Sequence, residues 1–298
     1  MSITIGITTR NRPESLQRCL ASLEHVPDVA AVLVFDDGSD PPAAAHPSPG
    51  SAPLQVIRDD RGVGYIAGRN RLVAEARTPY VLLLDDDAVV LSEKAIEHAC
   101  AVLDADPSVG GVAFAQAEAD GRPWPQRMQP GRSDVPAIVP SFIGFAHLLR
   151  RDLFISLGGY RERLMFYGEE KDYCVRLMDA GYRVVFLPDA RVAHIVDPAG
   201  RSQSRYVRYV IRNDIFTSLH SDPMPLVMAV LPLRLWRYTR MARTVPGGDR
   251  GGLSWIVSEV WRAWPEIRRT RKPVAWATVR EWRRLARQSV PYAGKKPA

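Results

Sequence analysis

No stretch of this sequence approaches the ~20 consecutive apolar residues that a membrane-spanning helix needs. The nearest run, Leu226 to Leu233, is interrupted by Pro232 and closed by Arg234, which argues against an integral membrane protein. Cysteine is scarce. Cys19, Cys100 and Cys174 are far apart, odd in number and without metal-ligand spacing, so a disulfide framework and a zinc site are both excluded and the thiols read as reduced. That suits a cytoplasmic protein. The first residues, Met1-Ser-Ile-Thr-Ile-Gly-Ile7, lack the basic and apolar regions of a secretion signal and read as a strand. No glycine-rich phosphate loop follows it: Thr8-Thr-Arg-Asn-Arg12 holds no glycine. This removes the G-x-G-x-x-G of dinucleotide-dependent oxidoreductases and weighs against a nucleotidyltransferase.

Acidic residues are scarce in one region only. Residues 224–298 hold 16 lysines and arginines against four acids, whereas residues 1–223 hold 24 against 29. The tail also carries six of the seven tryptophans. This shift in composition marks a boundary near Asp222-Pro223, giving an expected domain over 1–223 and an extension over 224–298. With 46% hydrophobic residues the chain can bury a full core.

What is present in the body is an alternation of strands and helices. Ile3 to Ile7 reads as a strand, Glu14 to Leu23 as an amphipathic helix, and Ala31 to Phe35 as a second strand. A Pro/Ala/Ser loop spans Pro41 to Pro53, Leu54 to Ile57 reads as a third strand, a helix follows from Ile66 to Ala76, and Tyr80 to Leu84 forms the next strand. Such alternation implies right-handed crossovers and an α/β fold with a mostly parallel sheet flanked by helices.

The strand Tyr80 to Leu84 ends in Asp85-Asp86-Asp87. Three adjacent carboxylates repel one another, and folding alone does not call for them. A divalent cation with oxygen ligands relieves the repulsion, and the carboxyl ends of parallel strands are where α/β sheets bind ligands.

The order Ile7-Thr-Thr-Arg-Asn-Arg-Pro13, Asp36-Asp-Gly-Ser39, Gly62-Val-Gly-Tyr-Ile-Ala-Gly-Arg-Asn70, Leu84-Asp-Asp-Asp87, Gly158-Gly-Tyr160, Gly168-Glu-Glu-Lys-Asp172 and His194 resembles the family 2 glycosyltransferases of GT-A fold, inverting enzymes, and in particular galactofuranosyl- and rhamnosyltransferase-like members. The resemblance spans about residues 3–220. It implies a nucleotide-diphosphate sugar donor, UDP- or TDP-linked, and a divalent Mn²⁺ or Mg²⁺. It assigns nucleotide binding to Asp36 and Asp37, and the metal-binding DxD to Asp85 and Asp87, with Asp86 facing the sugar and His194 completing the metal site. Thr8, Thr9 and Arg10 join the nucleotide site, and the fixed fork of Arg69 suits a diphosphate or a base edge.

Glu169, Glu170 and Asp172 open an amphipathic helix. Acids there suit the helix dipole, but three exceed what capping needs, and an acceptor hydroxyl must lose a proton as it attacks. The family pattern is usually Glu-Asp, so Glu170 stands where an Asp is expected. Glu170 is the expected base, with Asp172 second and Glu169 supporting. Trp124 is a candidate for stacking on a sugar or for packing on its own domain, and Arg205, Arg208, Arg212 and Asn213 form a helical stripe that is either a solvated face or a cover over the diphosphate.

The tail offers three amphipathic stretches, Leu226 to Tyr238, Leu253 to Trp264 and Val274 to Arg287. Tryptophan with arginine suits an anionic membrane surface; packing on the catalytic domain or on a second copy of the chain, as a homo-oligomer, is the alternative. No nucleic-acid reader module accompanies the charge. The expected function is transfer of a sugar to a hydroxyl of a glycan, a lipid-linked glycan or a glycosylated small molecule, in the cytoplasm and peripheral to the inner face of the membrane. The competing readings are a non-catalytic sugar-nucleotide-binding scaffold and a nucleotidyltransferase.

Overall fold

The computed structural model describes residues 2–44, 50, 52–196 and 202–294. The expected loop from Pro41 to Pro53 lies partly outside the described residues. The chain runs β1 (Ile3–Thr9), α1 (Pro13–Ala21), β2 (Val29–Asp36), β3 (Leu54–Arg58), α2 (Tyr65–Glu75), β4 (Tyr80–Asp85), β5 (Ala88–Val90), α3 (Glu93–Ala105) and β6 (Val109–Ala117). Then follow β7 (Ala137–Val139), β8 (Ala146–Arg150), α4 (Arg151–Ser156), α5 (Glu169–Asp179), β9 (Arg183–His194), α6 (Gln203–Ser221), α7 (Met224–Ala242), α8 (Gly252–Thr270), α9 (Trp276–Arg287) and β10 (Val290–Pro291).

β1 is buried along its whole length because both faces of the sheet are covered, as a run of apolar residues in a parallel sheet requires. Ile3, Ile5 and Ile7 pack with Leu16, Cys19 and Leu20 of α1. On the other face, a Cβ at Gly6 would lie 2.9 Å from Leu83 and 3.2 Å from Leu72, so α2 sits close against the sheet.

The sheet order is β10-β7-β9-β6-β8-β4-β1-β2-β3, with β5 on β9. The first four strands are mutually parallel, as expected. Beyond β4 the sheet is mixed: β8 runs antiparallel to both β4 and β6. The reversal comes between β6 and β7, which are joined without a crossover α-helix: β7 runs antiparallel to β9, which is parallel to β6, and β8 keeps the direction of β7. Register places Thr8 opposite Asp85 and Thr9 opposite Asp36, so three strand ends deliver polar side chains at one level of one edge.

The C-terminal helices share the core of the body. Val227, Tyr238, Ile256, Ala263 and Ile267 belong to the same apolar cluster as Leu83, Phe142 and Tyr173. Position 223 is therefore a bend between α6 and α7 rather than a gap in the packing. The chain then returns to the sheet, where β10 pairs antiparallel with β7. The basic stripe of α6 also differs from its expected role. Arg208 pairs with Asp249, and buried Arg212 reaches Glu259 at 3.2 Å and the Leu164 carbonyl at 2.7 Å. These two arginines pin helices instead of facing a diphosphate. Arg205 lies over the Phe166 ring at 4.6 Å.

Among the described residues, no helix is long and apolar enough to cross a membrane. All three cysteines are free.

Candidate functional site

The acidic triplet divides into two groups as β4 gives way to the turn before β5. Asp85 faces one way: its Oδ1 accepts from Arg69 Nη2 at 2.5 Å. Asp86 and Asp87 face the other. Asp86 accepts from Thr9 Oγ1 at 2.8 Å and from Arg12 Nη1 at 3.2 Å, and the same guanidinium nitrogen lies 3.3 Å from Asp87 Oδ2. Burial pushes the Asp86 carboxyl up to about 6, with Thr9 and Arg12 opposing and the flanking aspartates adding to the rise. Asp85 thus pairs with buried Arg69, while Asp86 and Asp87 share the Arg12 guanidinium.

His194 is carried to Asp87 by the length of β9, twelve residues ending beside β5, where Ala88 and His194 are partners. Its Nε2 lies 3.5 Å from Asp87 Oδ1. Nδ1 lies 2.8 Å from Gln116 Oε1, and the Gln116 amide nitrogen donates to the Met128 carbonyl. Because that bond turns Oε1 toward the imidazole, Oε1 accepts from Nδ1–H, and Nε2 faces the space it shares with Asp87, where an ion could take its lone pair. The ring is stacked between Trp124, at 5.4 Å and 13°, and Phe145, at 4.8 Å and 13°. Trp124 thus packs on the histidine, the second of the two roles expected for it.

Among the described residues, no group of three or more His, Cys, Asp or Glu is drawn together tightly enough to hold a metal ion. Asp87, in the turn between β4 and β5, and His194, at the end of β9, nevertheless offer a hard carboxylate and an imidazole, with Asp86 beside them. That set fits a divalent ion which takes its remaining ligands from substrate phosphates and water, the usual arrangement for Mg²⁺.

The second acidic cluster lies at the start of α5. Glu169 is fully buried, and accepts from Arg69 Nη1 at 2.7 Å and from the Tyr65 hydroxyl at 3.2 Å. Arg69 is itself 1% exposed and also donates to the Gly144 carbonyl at 2.8 Å. It is a buried crossbar between the two acidic clusters. Glu170 is half-buried, and its Oε1 accepts from the Gly144 backbone N–H at 3.0 Å. A Cβ on Gly144 would lie 2.5 Å from that oxygen and 3.0 Å from Arg69 Nη1, so the crossing of the two side chains requires glycine there. Burial raises Glu170 above the ordinary carboxylate range, with Arg69 opposing. Glu169 is raised by burial and then by the charge of Glu170.

Asp172 departs from its expected role as a second base. It is 0% exposed, and its two oxygens pair with Arg161 and with Arg176, the latter at 2.9 Å. One helical turn separates i from i+4, so Arg176 covers Asp172 and holds it against the interior.

The nucleotide side of the cleft is also sorted by the fold. Asp36 accepts from the Ser39 N–H at 2.8 Å, the Ala43 N–H at 3.0 Å and the Arg58 guanidinium, and is fully buried. Burial alone would raise its pKa; these hydrogen bonds lower it. Asp36 is spent on the loop and is not presented to a ligand. Asp37 accepts from the Gly64 N–H at 2.9 Å, and Arg10, largely exposed, lies 3.6 Å from its other oxygen. Thr8 is buried beside Asp85 in the sheet register, and Thr9 is engaged by Asp86.

Sequence reasoning missed Arg12, Gln116, Tyr65 and the clamp made by Asn213. Gln116 had a signal, being the single side-chain amide in the otherwise apolar β6. Asn213 Nδ2 donates to the carbonyls of Leu164, Phe166 and Tyr167 at 2.9, 2.8 and 2.6 Å. Those carbonyls belong to a turn in which Met165 and Tyr167 adopt φ of 59° and 67°. Such backbone persists where its surroundings over-determine it, and here it leads directly into Glu169 and Glu170.

The fold and the paired acidic clusters at its sheet edge define a GT-A architecture. The Glycosyl transferase family 2 model matches residues 4–158, and the chain belongs to that family. It is 29% identical over 208 residues to the pre-mycofactocin glycosyltransferase of Mycobacterium tuberculosis, covering 64% of this chain and 42% of the relative. To the amylovoran biosynthesis glycosyltransferase AmsE of Erwinia amylovora it is 26% identical, over 63% of this chain and 73% of that one. The chain thus spans less than half the length of the mycobacterial relative. In fold it is similar to a mannosyltransferase from Pyrobaculum calidifontis in complex with GDP-Man and Mn²⁺, with a TM-score of 0.58 and 18% identity over 96% of this chain and 85% of the other. It is likewise similar to residues 1–349 of S. aureus TarS in complex with UDP-GlcNAc, with a TM-score of 0.55 and 16% identity over 75% and 68%.

Proposed function

We propose that the protein transfers a glycosyl unit from a nucleotide-diphosphate sugar to a hydroxyl of a glycan, a lipid-linked glycan or a glycosylated small molecule, with inversion at the anomeric carbon. The observation that carries this reading is the pairing of two differently tuned acidic clusters across Arg69. One is grouped with a histidine and suits a diphosphate-bound cation; the other presents a raised, half-buried carboxylate and suits proton removal.

Asp87 and His194 would hold the Mn²⁺ or Mg²⁺, with Asp86 and Arg12 adjoining. When bound, such an ion neutralises charge developing on the departing diphosphate. Glu170, oriented by the Gly144 N–H, takes the proton of the acceptor hydroxyl as the new glycosidic bond forms and the bond to the diphosphate breaks. Its raised pKa brings its basicity closer to neutral pH than that of a free glutamate. Asp37, Thr8 and Arg10 line the approach on the nucleotide side. Inversion follows from attack opposite the leaving group, with Glu170 acting as base rather than nucleophile. The similarity to a pre-mycofactocin glycosyltransferase and to an amylovoran biosynthesis glycosyltransferase supports glycosyl transfer as the reaction.

A thermal-shift panel of UDP, GDP and TDP with and without Mn²⁺ tests the donor class, because a ligand that binds the native state raises its stability. A metal-dependent shift by one nucleotide, together with donor turnover by wild type and not by Glu170→Gln, supports the proposal. Binding without any turnover supports the scaffold reading instead.

A further inference from the structure

We propose that the outer face of α8, with Trp236 of α7, docks this protein on an anionic lipid surface. The apolar arc of α8 is wider than its packing contact. Ile256, Ala263 and Ile267 are buried against the body. Leu253, Val257, Trp261 and Trp264, spaced by four, four and three residues, fall within a ~80° sector beside that buried face. All four are exposed, Trp261 at 78% and Val257 at 55%. They belong to a contiguous ridge, with Leu253, Val257 and Trp261 lining one open depression of about 560 Å³. Exposed apolar ridges of this kind mark contact with another phase or partner.

Charge selects the occupant. Arg268 and Arg269 are exposed at the C-terminal end of the same helix, and on α7 exposed Arg240 lies over the Trp236 ring at 5.0 Å. The segment around them carries four basic residues for every acidic one. A second copy laid face to face would oppose these charges, whereas anionic headgroups neutralise them. Tryptophan with arginine on one helix face is suited to the headgroup boundary, where the ring enters the apolar edge and the guanidinium stays among phosphates. The structure also narrows the surface among the three amphipathic stretches of the tail. Val279 and Leu285 of α9 are buried and Trp282 packs against the core, so α9 is not the docking face.

The inference does not depend on the glycosyl-transfer reading, and the test keeps them apart. Full-length protein is sedimented with phosphatidylcholine vesicles containing one quarter phosphatidylglycerol, and with phosphatidylcholine alone, at low and high salt. Wild type should bind the anionic vesicles at low salt and at least tenfold more weakly in the other conditions. Val257→Asp combined with Trp261→Glu, both at exposed positions, should lose at least tenfold in vesicle affinity, with its circular dichroism and its nucleotide-induced thermal shift unchanged. Absence of wild-type binding at low salt overturns the proposal, as does equal binding by the double variant. A dimer mass in light scattering that the double variant abolishes, without vesicle binding, assigns the face to a second copy.

Discussion

Arg69 Nη2 donates to Asp85 Oδ1 at 2.5 Å, which ties the first residue of the acidic triplet to a guanidinium buried at the centre of the cleft. The same guanidinium holds Glu169. Removing it leaves a buried carboxylate without its cation. Arg69→Met should therefore destabilise the fold by about 3 kcal/mol, the scale for breaking one side of a buried ion pair. Denaturant unfolding measures this; unchanged stability with lost nucleotide affinity would restore the diphosphate role.

Asp87→Ala should abolish the Mn²⁺-dependent part of nucleotide binding, and His194→Ala should weaken it less, since a neutral ligand is lost in place of a charged one. Gln116→Leu tests the tautomer argument. Loss of the partner that holds Nδ1–H should cost roughly 10–100-fold in metal affinity. Calorimetry with Mn²⁺ and nucleotide separates the three, and equal affinity in Gln116→Leu and wild type would refute the orienting role.

Glu170→Gln should retain nucleotide binding and lower turnover by about 10²–10⁴-fold, the contribution of a positioned general base. Because burial raises Glu170, the acidic limb of kcat/KM should lie above the ~4.3 of an ordinary glutamate, with activity lost as pH falls through the raised value. Asp172→Asn should instead lower stability, since Arg161 and Arg176 lose their shared carboxylate. A pH–rate profile and a melting curve on both variants distinguish base from strut.

His220 should make the fold sensitive to mild acid. Burial first, then Arg161, lowers its pKa to about 4, below the ~6.5 of the unfolded chain. Between these values the unfolded state binds the proton and the native state does not, so stability is full above about 6.5 and declines as pH falls toward 4. In His220→Gln the slope of Tm against pH over this window should be shallower than in wild type. Parallel slopes would assign the acid sensitivity to carboxylates.

Much of the fold was legible because local periodicity and strand ends are written in short segments. β1, α1, β2, β3, α2 and β4 lie within a few residues of their expected positions, and the Asp-rich ends of β2 and β4 do reach one edge. The reversal after β6 was not legible, since strand direction beyond a loop depends on which edge remains open for pairing. The amphipathic character of α8 was visible, but its division into a buried and an exposed half was not: apolar positions at helical spacing from Leu253 to Trp264 read as one face, of which the body covers only part.

The sequence by itself determined the chemistry available at the cleft: Asp85 to Asp87, Glu169 and Glu170, His194, and the basic tryptophan-rich tail. Only the tertiary structure decided how each carboxylate is used. Asp36, Asp85, Glu169 and Asp172 are all acidic and near the expected motifs, and each is bound to an arginine, whereas Asp87 faces His194 as well as Arg12 and Glu170 accepts from a backbone N–H at the cleft. Side-chain pairing over separations of up to 107 residues, as between Asp87 and His194, carries no local periodicity. Whether a carboxylate is neutralised by a guanidinium or left facing a cleft is fixed only when burial makes an unpaired charge too costly to leave alone.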